Sequence, residues 1–189
     1  MSNVLEKKDA DLFYKLHSCL LCFVSQQTKI VQSKISPDEF VDLPMEEKLK
    51  AREVLFGQKE YIDQFLKSEH AQKLNGDELA IINSWKYFEK GSFFIYKHLK
   101  NHSIFLDGSS KPKALTVSGI FDPIVELFPS PPAMVEAVLL PFKGRIIYDG
   151  MMMGYSIFLG PGICRCLKDS YEKAKRDFGL ITQLPWGQA

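Results

Sequence analysis

The chain has 189 residues, with 24 Lys and Arg against 23 Asp and Glu and a hydrophobic share of 46%. That share excludes disorder, and a net charge of +1 argues against a histone-like nucleic-acid binder and against an acidic solvating tail. The length suffices for one sizeable core burying roughly 70% of the unfolded surface, so a soluble globular domain of mixed class is expected, with no single motif that identifies its activity.

The first residues carry Glu6, Lys7, Lys8 and Asp9 and no apolar stretch, so no secretory signal is expected. No later run approaches the ~18–20 apolar residues that cross a bilayer. Four cysteines in a chain this long do not resemble the disulfide framework of a small secreted domain. A cytoplasmic protein with reduced thiols is the expectation.

The first ninety residues read as helical. Leu12, Phe13, Leu16, Leu20, Phe23 and Val24 recur at the spacing of one helix face over residues 11–31. Ser36-Pro37-Asp38-Glu39 is a helix start: a capping hydroxyl, Pro at the first helical position, then acids at the positive dipole end. Residues 45–56 are helical in composition, with Gly57 as a stop. Tyr61, Ile62, Phe65 and Leu66 form the next stripe, ended by Asn75-Gly76. Asp77 is then expected to cap a helix with Ile81, Ile82, Trp85 and Phe88 on one face, closed by Gly91.

After Gly91 the texture becomes that of strands. Residues 93–96 and 104–106 flank the turn-like Asn101-His102-Ser103, a hairpin pattern. Residues 107–112 are a link and 114–121 a strand. Residues 127–132, with three prolines, are a loop. Residues 135–142 and 145–151 flank Lys143-Gly144, which predicts a tight hairpin, and residues 155–159 are a further short strand. Gly160-Pro161-Gly162 opens an amphipathic helix that carries Ile163, Leu167, Tyr171, Ala174 and Phe178 at helical spacing and stops at Gly179. The fold class is therefore α+β in a single domain: an N-terminal helical segment (1–90) packed with a mostly antiparallel sheet of about five strands (91–160), closed by a C-terminal helix (161–178).

The chemistry-bearing residues are sparse. Cys19 and Cys22 have a metal-ligand spacing that Cys164 and Cys166 would complete, yet Leu20 and Leu21 stand between the first pair inside a helical pattern. Core packing is expected of Cys19 and Cys22, with no metal and no cofactor. His98 and His102 flank a hairpin turn, where exposure is the ordinary expectation. Asp107, Asp122 and Asp149 end strand-like runs, but each also stands in a common turn dipeptide. Met151-Met152-Met153 cannot all face one core on a strand, because neighbours alternate sides.

An anion site is the sharpest hypothesis. Gly160 and Gly162 would let a phosphate approach free backbone N–H groups at a helix start, with Arg165 in the first turn and Lys143 and Arg145 on the preceding hairpin. Neither a Walker pattern nor a GxGxxG is present. The function expected is a non-catalytic binding or protein-interaction module, its partner a protein or a small anionic ligand, with a homo-oligomer left open. Two alternatives stand beside it. One is an enzyme acting on an anionic substrate with Asp122 or Asp149 as base. The other, less favoured, is a weak nucleic-acid contact with Tyr148 or Tyr155 stacking.

Overall fold

The computed structural model describes residues 3–186, and the chain forms two compact units. Residues 8–86 make up the helical unit; residues 3–7 and 87–186 make up the other.

The helical unit holds most of α1 (Lys7–Gln27), then α2 (Pro37–Val41), α3 (Met45–Leu55), α4 (Glu60–Leu66) and α5 (Gly76–Ser84). Phe13, Leu16 and Leu20 of α1 are wholly buried at the spacing of one helix face. Phe13 meets Trp85 edge-on with ring centroids 5.7 Å apart, and Phe23 meets Phe65 likewise at 5.5 Å. The start of α2 is a complete capping box: the Glu39 N–H donates to Ser36 Oγ at 3.2 Å, and the Ser36 N–H to Glu39 Oε2 at 2.7 Å.

The start of α5 corrects one expectation. Asn75, not Asp77, is the cap: the Glu78 N–H donates to Asn75 Oδ1 at 3.0 Å while the Asn75 N–H donates to Glu78 Oε2 at 3.0 Å. The reciprocal pair needs an acid three residues after the cap, and Glu78 stands three after Asn75. A second correction is Gly91, which lies inside a strand; the helical path ends in a 3-10 turn over Trp85–Tyr87.

The other unit holds β1 (Glu89–His98), β2 (Ser103–Asp107), β3 (Ala114–Ser118), a single-turn α6 (Ile124–Leu127), β4 (Ala133–Phe142), β5 (Arg145–Tyr148), β6 (Met153–Gly154), α7 (Pro161–Phe178) and β7 (Leu180–Ile181). The strands run in the order β1-β2-β3-β5-β4, and β4 also pairs with β1, which closes a small barrel. One long strand serves both seams. Residues 93–98 of β1 pair with β2 and residues 89–95 with β4, and a register break between Ile95 and Lys97 bends the strand between them. The sheet is mixed, because β3 runs parallel to both β5 and β7. The closed path is therefore a small barrel of mixed strands.

The β4–β5 hairpin forms as expected, with Phe142 opposite Arg145. Lys143 and Gly144 both have positive φ, 47° and 75°, the pair of left-handed residues a two-residue hairpin turn requires. Two strands differ from expectation. β5 ends at Tyr148, and residues 155–159 form no strand; the only strand beyond β5 in that stretch is the two-residue β6. Asp149 and Gly150 break the run: the Asp149 carboxylate accepts the Met151 N–H at 3.2 Å, and Gly150 takes a φ of 86°.

Helix α7 packs on the barrel. Leu167, Tyr171 and Ala174 cluster with Ile104 and Leu106 of β2 and Ala114 of β3. The Tyr171 ring also lies tilted against Tyr96 with centroids 4.9 Å apart, and the Lys97 ammonium lies 4.1 Å from its centroid. Burying three such side chains contributes several kcal/mol at ~25 cal/mol per Å² of apolar area. The helix stops at Gly179, whose φ of 72° suits a residue without a side chain.

Candidate functional site

Side chains on a strand alternate, so Ala114, Thr116 and Ser118 share one face of β3. Helix α7 covers that face at Ala114. Beyond it, where Thr116 and Ser118 follow, a cleft of about 330 Å³ opens. Its walls come from three more places. Asn101 and His102 stand at the β1–β2 turn, Gly144 and Arg145 at the β4–β5 turn, and Thr182 just after β7. The register explains why Arg145 reaches it. Val117 pairs with Ile146 and Ser118 with Ile147 in the parallel β3–β5 ladder, so Arg145 falls on the same face as Thr116 and Ser118.

Several of these groups are already engaged. The Arg145 guanidinium donates to the Val4 carbonyl at 3.4 Å, which ties the N-terminal segment to β5. Thr116 donates its hydroxyl to the Ile181 carbonyl at 3.3 Å, fixing β7 against β3. Ser118 differs from them. Only 6% of it is exposed, and its hydroxyl bonds to none of the described residues. The buried polar atom at the cleft that has no hydrogen-bond partner among the described residues is Nε2 of His102; leaving such a group unsatisfied costs about 1–3 kcal/mol, and a ligand in the cleft can satisfy it.

The β1–β2 turn is held from behind. The Nε2–H of His98 donates to the Phe128 carbonyl at 2.8 Å, and its Nδ1 shares a hydrogen bond of 2.8 Å with the Ser103 hydroxyl. These bonds correct the expectation that His98 is simply exposed. His102 is half-buried as well, and burial holds its imidazole below the usual range.

The structure divides the residues of the sequence-derived anion hypothesis. Arg145 lines the cleft, and Lys143 is exposed on the turn beside it. Gly160 is the N-cap of α7, Gly162 and Arg165 are exposed in its first turns, and none of the three lines the cleft. Asn101, Thr116, Ser118 and Thr182 carried no sequence signal. They are single hydroxyls and an amide whose meeting depends on the barrel's closure.

The other candidates have local roles. Asp107 accepts the Lys113 N–H at 2.8 Å and the Ser109 hydroxyl at 3.0 Å, bracing its own turn. Asp122 is exposed, and Asp149 is buried; neither lines the cleft. Tyr148 is buried and so unavailable for stacking, and Tyr155 donates its hydroxyl to Glu136 at 3.1 Å. Cys22 is buried, donates its thiol weakly to the Ile35 carbonyl, and is pushed up to about 11, first by burial. Cys19 is only half-buried, against expectation, with burial again the first cause of its raised pKa. Among the described residues, no group of three or more His, Cys, Asp or Glu is arranged to hold a metal ion, and no helix is long and apolar enough to cross a membrane. Met153, Ile157 and Phe158 are exposed, Phe158 at 90%.

Comparison of the chain with protein-family models, with curated proteins and with solved structures finds no match.

Proposed function

We propose that this protein is a non-catalytic binding module whose cleft, between the β1–β2 and β4–β5 turns, takes an anionic ligand. The observation that carries the reading is a cleft lined by Arg145 and Ser118 together with His102, whose buried Nε2 has no hydrogen-bond partner among the described residues. The cleft's place in the fold supports it independently. Five-stranded Greek-key barrels of the OB type bind oligonucleotides and oligosaccharides on the β2–β3 face and on the loops joining β1 to β2 and β4 to β5, and here residues at both corresponding turns and of β3 line the cleft. Arg145 brings a fixed positive charge with forked donors, which suits an anion.

The test is an amide chemical-shift map during titration with inorganic phosphate. Shifts gathered at Asn101, Ser118, Gly144 and Thr182 are expected. Shifts confined to residues 160–165 would move the site to the start of α7, and a spectrum indifferent to phosphate would remove the anion reading.

A further inference from the structure

We propose that the ligand of the cleft is a phosphorylated polyol of sugar size, with its phosphate between Arg145 and Ser118 and its hydroxyl groups toward Asn101 and Thr182. The inference rests on the reading of the cleft as an anion site and narrows it by three observations.

The first is the position of α7. A polymer bound to such a barrel runs along the β2–β3 face, and here Leu167, Tyr171 and Ala174 already cover Ile104, Leu106 and Ala114 on that face. The stretch left open ends at Thr116 and Ser118, which suits a short ligand and gives a chain of nucleotides no track. The second is the absence of stacking surface. Single-stranded nucleic acids are held largely by bases stacked on aromatic rings, and no Phe, Tyr or Trp among the described residues lines the cleft. The third is the match of donors to ligand. Hydroxyls from β3 and from the segment after β7, an amide from the β1–β2 turn and a guanidinium from β5 approach from separate elements. A tetrahedral phosphate accepts hydrogen bonds from several directions at once, and a polyol needs hydroxyl and amide partners that both donate and accept. The volume of about 330 Å³ lies within the range of small-ligand pockets.

The experiment is calorimetric titration of the full chain with ribose phosphate, ribose, inorganic phosphate and a short oligothymidylate, for the wild type, Ser118→Ala and Arg145→Gln. Ribose phosphate is expected to bind one per chain and more than about tenfold tighter than either ribose or phosphate alone. Loss of one hydrogen bond to a charged group weakens binding by roughly 10- to 100-fold, so each variant should fall by that factor. Because the Ser118 hydroxyl bonds to none of the described residues, Ser118→Ala should keep the wild-type thermal midpoint, which separates lost binding from lost folding. If inorganic phosphate binds as tightly as ribose phosphate, the polyol part of the proposal is overturned. If the oligothymidylate binds through Arg145 and ribose phosphate does not, the polyol proposal falls while the anion reading stands. If none of the anions binds, both fall. Unchanged binding of ribose phosphate by Ser118→Ala overturns the assignment of the phosphate to that hydroxyl.

Discussion

Acid should loosen the helical unit through a single buried imidazole. His17 is 3% exposed, stacked on Phe13 at 5.2 Å and edge-on to Trp85 at 6.0 Å, and its Nε2 has no hydrogen-bond partner among the described residues. Burial first, then the positive charge of Arg52, lowers its pKa from 6.5 to about 3. The unfolded chain therefore takes up a proton near the ordinary value while the folded chain refuses it. Stability is complete above the unfolded pKa and is lost as the pH falls toward the folded one. At 1.36 kcal/mol per unit the whole gap is about 5 kcal/mol, and about 2 kcal/mol of it is gone by about pH 5. Urea unfolding at about pH 7 and about pH 5 reads the loss directly, for the wild type beside His17→Phe. Carboxylates contribute equally to both proteins, so the variant should lose about 2 kcal/mol less over that interval. Equal losses would refute the claim that His17 must stay neutral to stay packed.

Three further outcomes follow from single contacts. Asn75→Ala removes half of the α5 capping box and should cost about 1 kcal/mol, seen as a lower urea midpoint with an unchanged slope. Gly144→Ala meets no neighbour within 4 Å but must keep a φ of 75°; the strain alone should cost about 1–2 kcal/mol by the same assay, and a neutral result would mean the turn relaxes. Tyr171→Ala should destabilise by about 3–5 kcal/mol, because it empties the α7 contact with β2 and β3, whereas Tyr171→Phe should stay within about 1.5 kcal/mol.

The elements that sequence reveals best here are those specified by neighbours in the chain. Ser36-Pro37-Asp38-Glu39 contains its whole capping box, Lys143-Gly144 supplies the two positive φ angles of a hairpin, and Gly160-Pro161 with Gly179 brackets α7. What sequence conceals depends on distant partners. β7 is two residues whose pairing with β3 is parallel and spans more than sixty positions, and no local periodicity announces so short a strand. Residues 155–159 are apolar enough for a strand, yet Gly150 and the Asp149 turn end the ladder before them. The cleft is the extreme case. Arg145 is legible as a basic residue on a hairpin, but Ser118, Asn101 and Thr182 are ordinary until the barrel closes and the β3–β5 register turns Arg145 to the face of Ser118. Glycines before a helix are a visible signal for an anion; a lone hydroxyl at the end of a strand is not.

The central claim is that the cleft at Ser118 and Arg145 is where an anion binds. Crystals soaked in tungstate, a heavy tetrahedral oxyanion, would locate it by anomalous scattering. One strong peak within hydrogen-bonding distance of both the Ser118 hydroxyl and the Arg145 guanidinium is expected, and its loss in Arg145→Gln crystals. A strong peak at the start of α7 with the cleft empty, or a peak unchanged by Arg145→Gln, would contradict it.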